Sequence, residues 1–105
     1  MEENAKGMDF SRALDALKQG KLVARKGWNG KNMYLVLQGR FAVGPVSPEV
    51  AEAIGGGDMN METEQYRFHP HILMWTAQEY FVPWLASQTD LLACDWEIVP
   101  HHPAP

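Results

Sequence analysis

Fifteen residues, Val82-Pro83-Trp84-Leu85-Ala86-Ser87-Gln88-Thr89-Asp90-Leu91-Leu92-Ala93-Cys94-Asp95-Trp96, leave the chain few choices. Proline cannot donate to a sheet ladder, so a strand ends at Pro83. A serine ahead of Gln-Thr-Asp is a helix cap, and the run from Gln88 to Ala93 is a helix of about two turns. Asp95-Trp96-Glu97-Ile98-Val99 then alternates as a strand, with Trp96 and Ile98 on one face. Strand end, turn, short helix and closing strand therefore follow one another without a linker. Two of the four tryptophans, Trp84 and Trp96, bracket the small polar run Ser87, Gln88, Thr89 and Asp90. Aromatic faces beside short hydrogen-bonding groups suit a flat, polar ring system. The same residues also serve as core tryptophans and a plain helix cap.

The rest of the chain supplies partners for that closing strand. Asp9 caps a first helix in which Phe10, Ala13, Leu14 and Leu17 recur at helical spacing, and Gly20 ends it. Leu22 to Arg25 is a strand and Met33 to Leu37 returns, with Asn29-Gly30 as the turn signal between them. Leu91 and Leu92 are expected to point inward from the short helix. Phe41-Ala42-Val43 reads as a third short strand. Ser47-Pro48-Glu49 starts a helix with Val50, Ala53 and Ile54 on its apolar side, and Gly55-Gly56-Gly57 stops it. Residues 55 to 65 read as a mobile loop or an arm toward another subunit. Tyr66 to Trp75 is a strand with a break at Pro70, and Tyr80 to Val82 returns, so 71 to 84 is a second hairpin. The expected fold is α+β: an N-terminal helix packed on a small, mainly antiparallel sheet of two hairpins plus a closing strand. One domain spans 8–99, with 44–69 as an insertion and 1–7 and 100–105 as tails.

Composition narrows the function. A chain of 105 residues with 46% hydrophobic and 21% charged residues is one globular domain with a small core. A net charge of −4 argues against a surface that coats a nucleic-acid polymer. No apolar run is long enough to span a membrane, and the single cysteine, Cys94, forms no internal disulfide, so a cytoplasmic setting is expected. His69-x-His71 places two imidazoles on one strand face, yet no cysteine pair or matched carboxylate accompanies them, so neither a metal nor a cofactor is expected. The glycine run lacks the lysine and hydroxyl ending that makes a phosphate loop. Arg25-Lys26-Gly27-Trp28-Asn29-Gly30 is more telling. It sets two cations, an aromatic face and an amide within six residues, a combination that suits phosphate, base and ribose, although a hairpin turn flanked by solvated charges has the same composition.

Met8-x-Phe10-x-x-Ala13-Leu14-x-x-Leu17-x-x-Gly20-Lys21-x-Val23-Ala24-Arg25-x-Gly27-Trp28-Asn29-Gly30 and Val82-Pro83-Trp84-x-Ala86-Ser87-Gln88-Thr89-Asp90-x-Leu92-Ala93-x-Asp95-Trp96 resemble the phage Thoeris anti-defence proteins of the second type, once a family of unknown function. The resemblance implies a sponge in the host cytoplasm. Such a protein binds the cyclic ADP-ribose isomer of Thoeris signalling, and in some relatives cyclic dinucleotides, without cleaving it. It further implies a homotetramer with pockets at subunit interfaces. The family motifs mark Arg25, Lys26, Trp28, Asn29, Trp84, Ser87, Gln88, Thr89 and Asp90 as ligand-binding positions. Trp28 and Trp84 would meet the purine, Arg25 and Lys26 the phosphates, and Asn29, Thr89 and Asp90 the ribose or base edge. No catalytic residue is implied. Two alternatives stand beside this reading: a hydrolase of the same signal, with Asp90 or Asp95 as base and His69 or His71 assisting, and an interaction domain for a host protein.

Overall fold

A computed structural model describes residues 7–39, 42–44, 46–55 and 66–103. In chain order the elements are α1 (Phe10–Lys18), β1 (Leu22–Arg25), β2 (Tyr34–Gln38), β3 (Ala42–Gly44), α2 (Pro48–Gly55), β4 (Tyr66–Phe68), β5 (His71–Trp75), β6 (Phe81–Pro83), α3 (Gln88–Leu92) and β7 (Trp96–Val99). They divide into two compact units, one formed by the chain up to Gly39 together with His71 onward, the other by Arg40–Pro70. The expected α+β class holds. No helix among the described residues is long and apolar enough to cross a membrane.

The first unit is a five-stranded antiparallel sheet in the order β6-β5-β2-β1-β7 with α1 on one face. Asp9 caps α1 by accepting the Arg12 amide, and Gly20 leaves it in the left-handed region at φ +88°, which only glycine adopts freely. Ala13, Ala16 and Leu17 are the buried side of α1, as the helical spacing requires. They close over Val23, Leu35 and Trp96 to form the core with Met8. Met8 also exchanges backbone hydrogen bonds with Trp96, so the chain just before α1 runs beside β7.

Both expected hairpins form, β1–β2 and β5–β6. Pro83 lies at the end of an edge strand, where its missing N–H breaks no ladder. Alternation sends Tyr34, Trp75 and Phe81 to the sheet face opposite α1. Tyr34 is buried, and its hydroxyl is 2.7 Å from Nδ1 of His102, which packs edge-on against Tyr34 and Trp75. The segment 100–103, expected to be a plain tail, is therefore tied to this face through one histidine.

Three local expectations are corrected. Asn29-Gly30 does not supply the left-handed turn; Asn32 does, at φ 62°. Gly30 is needed for a different reason, because a Cβ there would lie 2.8 Å from the Ala77 Cβ and closer still to the Met33 sulfur. The break expected at Pro70 is present, but the two pieces on either side of it are separate strands. They are β4 and β5, which belong to different sheets, and His69 and His71 no longer share a strand. Leu91 and Leu92 do not point inward. They are exposed, because the inward position of a helix only five residues long is taken by Asp90.

In the second unit β3 pairs antiparallel with β4, and α2 lies between them in sequence. Ser47 caps α2 as expected by accepting the Val50 amide. Its buried residue is Ala51, whereas Val50, Ala53 and Ile54 are exposed, so the buried side of α2 is not the expected one. Phe41 and the expected loop from residue 56 to 65 lie outside the described residues.

Candidate functional site

The β1–β7 pairing is what makes a site. Its register sets Arg25 opposite Trp96, and so brings the Arg25–Gly30 loop against the Ser87–Trp96 stretch across 70 residues of sequence. The joint is polar and closed. Arg25 Nε donates to Asp95 Oδ1 at 2.8 Å and Nη1 donates to Asp90 Oδ1 at 2.9 Å. Asp95 Oδ2 also accepts the Gly27 amide at 2.8 Å. A Cβ at Gly27 would fall 2.8 Å from that same oxygen, so the carboxylate reaches the backbone only because residue 27 is glycine. Asp90 Oδ1 accepts the Trp28 indole Nε1 at 3.2 Å, and the Asp90 carbonyl accepts the Trp96 indole at 3.0 Å.

This network sets the ionisation of its members. Burial pushes Asp90 up, but hydrogen bonds from Arg25, Trp28 and Ser87 outweigh it and hold the carboxyl below its ordinary range. The bond from Arg25, against some burial and helped by the Gly27 amide, holds Asp95 low as well. The bonds to Asp95 and Asp90 raise Arg25 in turn. All three stay charged at neutral pH.

Aromatic packing surrounds the joint. Trp96 is fully buried and meets Trp28 edge-on at 5.4 Å, Trp84 edge-on at 6.1 Å and Phe10 at 5.3 Å. Trp96 is thus core. Trp28 and Trp84 are half-buried, so each packs on the core and keeps an accessible part. Ser87 caps α3 by accepting the Asp90 amide at 3.0 Å. Ser87→Ala is expected to cost about 1 kcal/mol, read as a lower urea midpoint at unchanged slope.

One cavity of about 410 Å³ adjoins the joint, on the side of the sheet away from α1. Ala24, Arg25, Lys26, Trp28, Asn32 and Glu97 are among its walls. A second cavity, of about 350 Å³, lies beyond Asn32 and Pro103, which both cavities share; Trp75, Glu79 and His102 help to line it.

Of the expected site residues, the structure gathers Arg25, Lys26 and Trp28 at the larger cavity and connects Asp90 to them through the Trp28 indole and the Arg25 guanidinium. Asn29, Ser87, Gln88 and Thr89 are exposed and do not line it, nor does Trp84. Sequence reasoning left Asp95, Asn32 and Glu97 out of the ligand set. Asp95 carried a signal, the Asp-Trp ending of the second motif. Asn32 and Glu97 carried none, because their place depends on the left-handed turn and on the β1–β7 register.

The sequence profile of the Thoeris anti-defense 2-like domain matches residues 8–99. A protein of Bacillus phage SP01 described as "Thoeris anti-defense 2" is 42% identical over 92 residues, spanning 88% of this chain and 94% of that protein.

Proposed function

The chain belongs to the Thoeris anti-defense 2-like family, and from that premise we propose that it is a phage anti-defence protein that captures a cyclic nucleotide immune signal and holds it uncleaved. The signal is the cyclic ADP-ribose isomer of Thoeris, with cyclic dinucleotides as further cargo. The observation that carries this reading is the tryptophan-walled cavity with a free ammonium beside it. Trp28 offers an aromatic face for a purine, and Lys26, which lines the same cavity, has no ion pair among the described residues. Lys26, with Arg25 beside it on the cavity wall, gives a pyrophosphate its cationic side. Asn32 and Glu97, on the same walls, offer amide and carboxylate groups to ribose and base edges, while the exposed Asn29, Ser87, Gln88 and Thr89, and the half-buried Trp84, lie outside this cavity.

A binder rather than a hydrolase fits these groups better. Asp90 and Asp95 are held ionised and are already bonded to Arg25, Trp28 and Gly27, so neither is poised to take a proton from water near neutral pH. Assembly into a homotetramer in the host cytoplasm belongs to the same proposal. Leu85 and Leu92 are 91% and 78% exposed, and Tyr80 is 69% exposed, which leaves apolar surface for a neighbouring subunit to cover.

The test is sequestration and release. The purified protein is incubated with the cyclic ADP-ribose isomer, freed of unbound ligand, heat-denatured, and the released molecule is identified by mass. Recovery of the intact cyclic form is expected. A linear product that accumulates with time would make the protein a hydrolase instead. No recovered nucleotide from this or from cyclic dinucleotides would favour the host-protein interaction domain.

A further inference from the structure

The two cations at the cavity are not equivalent. We propose, resting on the ligand class of the preceding section, that Lys26 alone meets the phosphates of the signal, and that Arg25, Asp90 and Asp95 form a clamp whose charges stay paired with one another and fix Trp28 in its stacking position.

The charge count separates the two roles. At the clamp one guanidinium stands against two carboxylates, each within 3 Å of it, so the cluster carries a formal excess of negative charge. A phosphate arriving at Arg25 meets that excess. To bind, it must displace a charge-assisted hydrogen bond that already exists. Lys26 pays no such penalty. Its ammonium is exposed and free of ion pairs among the described residues, while its backbone amide donates to the Asp95 carbonyl at 3.0 Å. A free charge is thus presented from a fixed backbone.

The geometry gives the clamp its object. Arg25 to Trp28 is pinned at four successive residues. The Arg25 side chain is held by both carboxylates, the Lys26 amide by the Asp95 carbonyl, the Gly27 amide by the Asp95 carboxylate, and the Trp28 amide by the Arg25 carbonyl. The Trp28 ring is then oriented twice more, by its Nε1 bond to Asp90 and by its edge-on contact with Trp96. Every rotatable part of the stacking residue is set before ligand arrives. Preorganisation of this kind slows release, because the bound pose costs no further ordering. Asp95 has no route to the ligand except through the loop it holds, which makes it a positioning residue.

The experiment combines affinity with the indole resonances. Trp28→Phe assigns the Trp28 peak among the four tryptophan indole signals in a proton–nitrogen correlation spectrum. Asp95→Asn is expected to move that peak without ligand present and to weaken binding of the cyclic ADP-ribose isomer at least about tenfold, with the salt dependence of binding unchanged. Lys26→Gln is expected to leave the Trp28 peak in place, to weaken binding by a similar factor, and to flatten the salt dependence. Asp90→Asn, which keeps an oxygen for the indole, serves in place of Asp95→Asn if the latter does not fold by circular dichroism. The proposal is overturned if the clamp variant leaves the Trp28 peak unmoved, or if Lys26→Gln binds like the parent. Should the parent bind no cyclic ADP-ribose isomer, the ligand class is wrong. The clamp is then judged by the indole peak alone, and Lys26 by binding of inorganic pyrophosphate, whose failure to bind the parent would likewise overturn the assignment.

Discussion

Trp96→Ala is expected to leave most of the chain unfolded at 25 °C, seen as loss of the cooperative urea transition and of the tryptophan near-ultraviolet dichroism. Trp96 is fully buried and the largest side chain in the core. It contacts Phe10, Trp28 and Trp84, so its removal opens a cavity that three aromatic rings border and cannot fill by small rotations. Large aromatic truncations of this kind cost about 3–5 kcal/mol. A domain of this size holds about 5–15 kcal/mol in total, and small domains sit at the lower end. The indole's bond to the Asp90 carbonyl is lost as well, leaving that oxygen only the longer bond from the Ala93 amide. Trp96→Phe keeps most of the ring and is expected to retain a folded but less stable protein. If Trp96→Ala instead unfolded at the parent midpoint, the assignment of Trp96 as the centre of the core would be wrong.

Arg25→Met is expected to cost about 2–4 kcal/mol at pH 7, because it strands two carboxylates that share its guanidinium in a partly buried site. The pH dependence distinguishes this from a simple packing loss. In the parent, Asp90 and Asp95 titrate below their unfolded values. Their contribution is therefore fully present above about pH 4, the unfolded carboxylate range, and is lost as pH falls through the lowered folded values. Without Arg25 both folded values rise, and the variant's penalty is relieved as the carboxylates take up protons. The stability gap between parent and variant is thus expected to be widest near neutrality and to narrow steadily below about pH 5. Denaturant melts at several pH values read it directly. A gap independent of pH would mean that the two carboxylates do not sense the guanidinium's charge.

Much of the fold was legible because its signals are local. Asp9, the helical spacing of Phe10 to Leu17, and Gly20 delimit one helix. Ser87 delimits another, and two hairpins announce themselves by short apolar runs across turns. What the sequence hid was non-local. Nothing in Asp95-Trp96-Glu97-Ile98-Val99 says that it pairs with Leu22–Arg25 rather than with a hairpin edge, and the strand order depends on that pairing. The site shared this blindness. Arg25 and Trp28 were legible as cation and aromatic, but not as partners of Asp90 and Asp95, because the bonds span more than sixty residues. The inward face of α3 was read from hydrophobicity as Leu91 and Leu92. A polar network gave that position to Asp90, and a five-residue helix has no second face on which to bury both leucines.

The way β2 meets β5 has a consequence for how this lineage can change. Gln38 and His71 are paired neighbours in the sheet, so the excursion from 39 to 70 leaves and re-enters the fold at nearly one point. Closing such a loop costs only slowly more as it lengthens, about 0.6 kcal/mol per doubling. The five-stranded register is indifferent to what is spliced in at that point. The position is a cassette port: a longer, shorter or different excursion there leaves the Gln38–His71 pairing, and with it the Arg25–Asp90–Asp95 joint on the other side of the sheet, without a change of register.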